Sequence, residues 1–270
     1  MKTVNSISGG KTSSFLDVHY PADYSLFALI TVNDTNLKPK DKGLIKIVSD
    51  KIGKEFIGTV ESDKTLKVVL DLEQYTGRKI IWLTGEPFED VIKKAGGYLP
   101  NIMTRFCTSQ MKMKPIAEFC RNEIKETVLM RLGIRADEEQ RVNYENVDFK
   151  FHNGFSENGR NKWITEKYRE LDYPLVNDKI YHYQIYQWSK TIGIDFPSDS
   201  NCVGCFHKDL QQLRKNWDDE PDKMQWFANQ EQGKKRWKKE MNYTKIKTIG
   251  LQSDFNFGTG SGCNAGFCTD

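Results

Sequence analysis

The chain lacks any apolar run near the ~18 residues that a membrane-crossing helix needs, and no basic-then-apolar leader precedes its first strand-like stretch. The expectation is a cytoplasmic protein with no membrane partner. A strong charge of either sign is also missing. A net charge of +3 over 270 residues does not by itself announce a nucleic-acid partner. Tandem repeats and low-complexity tracts are absent, which excludes a solenoid or a disordered array. What is present fits an ordered protein with a sizeable core. Hydrophobic residues make up 38% and aromatics 12%, in a chain long enough for one large domain or one domain with an appendage.

A further absence decides the first motif. Gly10-Lys11-Thr12 copies the end of a Walker-type loop, but that pattern needs a glycine five positions before Gly10, where Asn5 stands. What remains is Ser8-Gly9-Gly10-Lys11-Thr12-Ser13, directly behind the apolar run 4–7. A strand that ends in two glycines and turns into a helix offers a phosphate unpaired backbone N–H groups and the positive end of a helix dipole. Glycine suits this seat because a Cβ would hold the phosphate off the backbone. Lys11 adds charge, and Thr12 and Ser13 add hydroxyls able to cap the helix. The plainer alternative is a tight turn and nothing more.

Residues 4–7, 24–32, 79–83 and 128–132 read as strands, and 13–19, 40–52 and 65–75 as helices. In the second helix Leu44, Ile47, Val48 and Ile52 recur at helical spacing. The alternation predicts an α/β fold, a parallel twisted sheet with helices on both faces. Ligands collect at the carboxyl ends of such strands. That rim would gather the glycine loop, Asn33-Asp34-Thr35, Thr84-Gly85-Glu86 and Gly133-Ile134-Arg135. The expected division is a nucleotide-binding domain over 1–145 and a smaller, loop-rich region over 146–270 that folds back over the rim and carries the metal or cluster cysteines. The glycine arm 258–262 would deliver the last two cysteines. The basic cluster Lys234-Lys235-Arg236-Trp237-Lys238-Lys239 could grip nucleic acid, but reads better as a solvated helix face.

The cysteines are Cys107, Cys120, Cys202, Cys205, Cys263 and Cys268. In the absence of a leader, disulfides are disfavoured and a metal or redox role gains weight. Cys202-Val203-Gly204-Cys205 is a turn whose two thiolates can point at one ion. With Cys263 and Cys268 it would close a zinc site, and with Cys107 it could hold an iron–sulfur cluster. Pro115 is expected to open a helix, leaving Cys107 on the loop before it, where Arg105 and Lys112 would favour its thiolate. Cys120 reads as an ordinary buried residue and His207 as a packing or supporting one.

Taken together, Ser8 to Ser13, Ile81-Trp82-Leu83, Arg105-Phe106-Cys107-Thr108 with Lys112 and Pro115, Gly133 to Glu138, Cys202 to Phe206 and Gly262 to Cys268 resemble the phosphoadenosine-phosphosulfate (PAPS) reductase family. The likeness is to its small phage- and plasmid-type members with an S-G-G-K/R-T-S loop, within the PP-loop, adenine nucleotide alpha-hydrolase superfamily. It implies a sheet of that superfamily's type and a site for ATP with Mg²⁺, or for PAPS or adenylylsulfate (APS). Relatives such as the sulfurtransferases of DNA phosphorothioation and the adenylylsulfate reductases carry a 4Fe–4S cluster on four cysteines. By that resemblance Cys107, Cys202, Cys205 and Cys268 would be the ligands, of iron–sulfur or of zinc.

Two departures bear on the reaction. Thr12 stands where an aspartate is common in the S-G-G-x-D-S loop, and the chain lacks the C-terminal Glu-Cys-Gly of the sulfonucleotide reductases. The retained loop points toward use of ATP itself, in adenylylation-coupled sulfur transfer. Within it Ser8, Gly9, Gly10, Lys11, Thr12, Ser13 and Gly133 would hold the nucleotide, Asn33 and Asp34 would lie near its ribose or adenine, and Lys11 and Arg135 would clamp phosphate. Asp137 and Glu138 would hold metal or order the arginine. Cys263 would carry persulfide or attack if it is not a ligand. The implied partners are an adenine nucleotide, a nucleic-acid acceptor, and a cysteine desulfurase or thioredoxin-like donor. Two rivals stand beside this expectation: a thiol-dependent reductase of PAPS or APS, and a zinc-stabilised nucleic-acid-binding module with a vestigial nucleotide site.

Overall fold

The computed structural model describes residues 1–156, 158 and 160–251. The 258–262 arm, Cys263 and Cys268 lie outside the described residues. The strands in chain order are β1 Thr3–Ile7, β2 Tyr24–Leu29, β3 Ile80–Thr84, β4 Val128–Arg131, β5 Asp148–Phe155, β6 Asn161–Lys167 and β7 Arg169–Asp172. Five of them form one parallel sheet in the order β3-β2-β1-β4-β7, while β5 and β6 pair antiparallel as a separate hairpin. The expected α/β architecture is what the chain adopts.

Strand β2 shows why the central strands read as nearly continuous apolar runs, since a parallel strand is covered on both faces. Leu26 and Ala28 enter one core with Val4, Met130, Ile116 and Ala117. Phe27 and Leu29 enter another with Leu44, Val48, Leu66, Val69 and Trp82. Between these strands run α1 Lys11–His19, α2 Lys42–Ile52 and α3 Asp63–Thr76. Asp41 caps α2 by accepting from the amides of Gly43 (2.9 Å) and Leu44 (3.2 Å), and Gly53 at φ +67 closes it. Strand order reverses at β1, whose neighbours β2 and β4 lie on opposite sides. The crevice between the carboxyl ends of β1 and β4 is the place where such sheets take ligands.

Several expected boundaries move. Strand β2 stops at Leu29, because Val32 turns its amide to Gly58 O (3.0 Å) and Thr31 bridges Thr59. Pro115 does not open a helix. It lies inside a helical run over 106–124 that contains two wide π-type turns, Ser109–Met113 and Cys120–Ile124. The widened turn before Pro115 accommodates a residue with no N–H to give. Cys107 therefore sits in the first turn of that run and not on a preceding loop. The sheet also continues past residue 145, since β7 pairs with β4. The basic cluster is not a helix face. Trp237 is buried, its indole N–H donates to Phe227 O (2.8 Å), and Lys238 Nζ donates to the carbonyls of Phe206 (3.0 Å) and Lys208 (2.9 Å).

Candidate active site

The glycine loop makes one wall of a pocket over the crevice. Gly9 has φ +74, and a Cβ there would meet Thr65 Cγ2 at 2.7 Å, so the turn needs glycine twice over. Gly10 caps α1. Ser13 Oγ accepts from the Ser8 amide (3.1 Å) and donates to Gly10 O (3.2 Å), which closes the loop on itself. Gly133, after β4, packs close enough that a Cβ would stand 3.3 Å from the Ser13 amide.

Across the crevice, Arg135 Nη1 donates to Thr12 Oγ1 (3.3 Å). Arg135 is held by Asp137 (Nε to Oδ1, 3.2 Å) and Glu138 (Nη2 to Oε1, 3.2 Å), and Glu138 also pairs with Arg141 at 2.6 Å. Both carboxylates thus order the arginine instead of facing a free cation site. Thr12 Oγ1 serves as the acceptor for this arginine. Lys11, Arg135 and Arg141 outnumber Glu138 and Asp199 around a helix N-terminus, and Asp199 is already paired with Lys208, which suits a polyanionic ligand.

The opposite wall comes from helix His182–Ser189 and residues 197–201. Lys11 Nζ lies 5.8 Å from the ring centre of Tyr186. Burial, then the Arg135 charge, hold the His182 imidazole below its ordinary pKa. Asn33 and Asp34 are not walls of this pocket. The Asn33 amide donates to Glu89 Oε2 (3.1 Å), and Asp34 caps the turn Thr35–Leu37 through the Asn36 amide (2.9 Å).

Cys107, Cys202 and Cys205 line a second cavity with Arg105, Lys112 and His207. The C-x-x-C turn is closed by the Cys205 amide donating to Cys202 O (3.0 Å) and tied to the sheet side by the Val203 amide on Val60 O (2.8 Å). Gly204 is required there, because a Cβ would overlap the Phe227 ring. The thiolate of Cys107 is not favoured by its cationic neighbours. Burial outweighs Arg105 and pushes the thiol up to about 11, and Lys112 directs its charge to the buried Glu61 carboxylate at 3.5 Å. Burial also pushes the Cys202 and Cys205 thiols up.

Three soft, desolvated thiols around one cavity fit a thiophilic metal or a cluster, whose positive charge deprotonates them outright. Among the described residues no three His, Cys, Asp or Glu side chains are grouped as ligands of a single ion. The two cysteines assigned to complete the set, Cys268 and Cys263, lie outside those residues. Cys120 lies apart in the core beside the sheet, its thiol pushed up to about 12 by burial. His207 lines the cysteine cavity, with burial and then Arg105 lowering it to about 4. Its imidazole is neutral at physiological pH.

The two cavities meet through residues 197–201, a segment whose turn-forming composition ahead of the C-x-x-C was its only signal in the sequence. Ser200 Oγ lies 3.2 Å from Ser8 Oγ, and Asn201 lines both cavities. The segment is anchored by buried Asp199, which accepts from Lys208 Nζ (2.9 Å), Gln212 Nε2 (2.7 Å) and the Asn201 amide (3.0 Å). Glu61 is a second residue the sequence did not flag. It is fully buried, and Lys223 Nζ reaches its carbonyl at 2.7 Å. No helix among the described residues is long and apolar enough to cross a membrane.

No family model matches the chain. Over 92 residues it is 36% identical to an uncharacterized protein of Methanocaldococcus jannaschii. That match covers 34% of this chain and 19% of the archaeal protein, so the likeness is local and brings no activity with it.

Proposed function

We propose that the protein is an adenine-nucleotide-dependent enzyme of the PP-loop type, resembling the PAPS reductase family, that couples adenylylation of an acceptor to sulfur transfer. One observation carries this reading. The glycine loop and the C-x-x-C turn line two neighbouring cavities, which are joined by the Ser8–Ser200 contact and by Asn201.

In the reaction proposed, an acceptor oxygen attacks the α-phosphorus of ATP. The new O–P bond replaces the bond to pyrophosphate, which leaves. The outer sulfur of a donor persulfide then bonds to the acceptor carbon as the C–O bond breaks and AMP departs with the electron pair, and a second thiol of the donor attacks the inner sulfur, breaking the S–S bond so that the donor is left as a disulfide and the acceptor as a thiolate. The loop amides and Lys11 would stabilise the charge on the leaving pyrophosphate, and Arg135, already set by Asp137 and Glu138, would clamp an α- or β-oxygen. Because the pocket's carboxylates Glu138 and Asp199 are engaged by Arg135, Arg141 and Lys208, Mg²⁺ would enter on the nucleotide's own phosphates. Cys107, Cys202 and Cys205, with Cys268, would hold an iron–sulfur cluster or zinc, which supplies a thiophilic centre beside the acceptor. Lys112, Asn201 and the apolar cavity wall would orient that acceptor and exclude water.

The test is anaerobic purification with metal analysis and an absorption spectrum, followed by a pyrophosphate assay with ATP and candidate acceptors, including nucleic acid. Acceptor-dependent pyrophosphate release supports the proposal. Sulfite release from PAPS or APS with a thiol donor would replace it with the reductase. One zinc per chain, no nucleotide binding and salt-sensitive nucleic-acid binding would replace it with the binding module.

A further inference from the structure

A third cavity lies between helix 106–124 and the sheet. It shares Ser8 with the phosphate pocket and Lys112 with the cysteine cavity, and Ser6, Met130, Tyr168 and Arg169 are among its other polar and apolar walls. Its volume is about 30 Å³, room for two or three waters at roughly 10–15 Å³ each. That space suits one compact ion and is too small for a nucleotide.

Arg169 is the unusual member. It enters from β7, is 2% exposed, and forms no ion pair among the described residues. Its Nε donates to Asn146 O (3.0 Å), its Nη1 rests on Met130 Sδ (3.3 Å), and its guanidinium carbon lies 5.1 Å from the ring centre of Tyr168. Its Nη2 is buried with no hydrogen-bond partner. A guanidinium keeps its charge at any physiological pH, and the Tyr168 ring and the Asn146 carbonyl offset that charge only in part, so an arriving anion would neutralise what remains. Lys112 is a second cation on the same cavity, and Glu61, 3.5 Å from its Nζ, offsets it. One positive charge at Arg169 is left over.

We propose that Arg169, assisted by Lys112, binds a tetrahedral oxyanion of the sulfate or phosphate class in this third cavity, at a site separate from the nucleotide's phosphate seat. The excess charge, the free donor and the small volume each point to the same ligand. The proposal does not rest on the sulfur-transfer reading and stands if the chain never hydrolyses ATP.

Sulfate is the probe. Calorimetric titration into the full chain, at ionic strength held constant with chloride, compares the unaltered protein with Lys11→Ala, Arg169→Gln and Arg169→Lys. Lys11→Ala weakens the phosphate loop and is expected to retain one sulfate-binding event. Arg169→Gln should weaken that event at least tenfold, with Arg169→Lys in between. Equal sulfate affinity in Arg169→Gln and the unaltered chain would overturn the proposal. If Arg169→Gln does not fold, selenate-soaked crystals of the unaltered chain decide. An anomalous selenium peak within hydrogen-bond distance of Arg169 Nη2 supports the site. Water alone in the cavity, with selenium confined to the glycine loop, refutes it.

Discussion

The hydroxyl of Ser200 stands 3.2 Å from that of Ser8, although 192 residues separate them in the chain. This contact seats the segment leading into the C-x-x-C turn directly on the phosphate loop. A shift in one wall is therefore felt in the other.

Gly10→Ala tests that coupling. The added Cβ would stand 2.7 Å from Ser200 Oγ, while the backbone at φ −100 accepts alanine without strain. The expected result is at least a tenfold loss of nucleotide affinity with little change in thermal midpoint, restored by a second change, Ser200→Gly. Gly9→Ala should behave differently, because its φ of +74 is itself unfavourable. More than the ~1–2 kcal/mol cost of the left-handed backbone should be lost in chemical denaturation, because the new Cβ also meets Thr65.

Metal content separates the cysteines. Cys107→Ser and Cys202→Ser should each remove most of the bound metal from anaerobically purified protein. Cys120→Ser should leave metal content intact, since Cys120 lies in a different core. That variant instead buries a hydroxyl where a thiol packed, at a cost of about 1–3 kcal/mol. Unchanged metal in Cys107→Ser would remove it from the ligand set.

His182 makes the nucleotide pocket sensitive to pH. Its pKa is lowered from 6.5 by burial, then by Arg135 and Lys11, with Asp137 and Glu138 opposing. The unfolded chain therefore takes up a proton before the folded one does. The contribution to stability is complete above pH 6.5 and declines as pH falls below it. Phosphates bound beside Lys11 and Arg135 offset those charges and should raise the His182 pKa. Nucleotide binding at about pH 6 is then expected to take up protons, measurable as a dependence of binding enthalpy on buffer ionisation enthalpy. The same uptake in His182→Asn would count against this assignment.

The Asp199–Lys208 pair should matter far more than a surface pair of similar length. Its side chains are 2% and 4% exposed, whereas Lys64 and Asp195, paired at 2.7 Å, are 56% and 79% exposed. Lys208→Met leaves a carboxylate buried without its counter-charge and should destabilise by roughly 3 kcal/mol. Lys64→Met should leave the denaturation midpoint unchanged within error.

Much of the frame was legible in the residues. The helices read over 40–52 and 65–75 are α2 and α3 to within two residues at each end, because the helical spacing of apolar residues such as Leu44 and Val48 is a local feature. Gly133 and Arg135 could be expected opposite the glycine loop because parallel strands bring their carboxyl ends together. Local spacing misled at Pro115, where widened turns carry the helix through, and at Trp237, where a charged neighbourhood hid a core indole. Proximity to cations misled at Cys107, because sequence neighbours reveal charge but not desolvation.

The order of apolar residues and the paired glycines by themselves determined a parallel α/β sheet with a phosphate-shaped turn after its first strand, since periodicity and backbone conformation are properties of short segments. Only the tertiary structure decided that residues 197–201 close the pocket, that Glu61 takes up the charge of Lys112, and that Arg169 is buried without a counter-ion. Those are contacts between distant segments, and burial and charge balance arise only once the chain has packed.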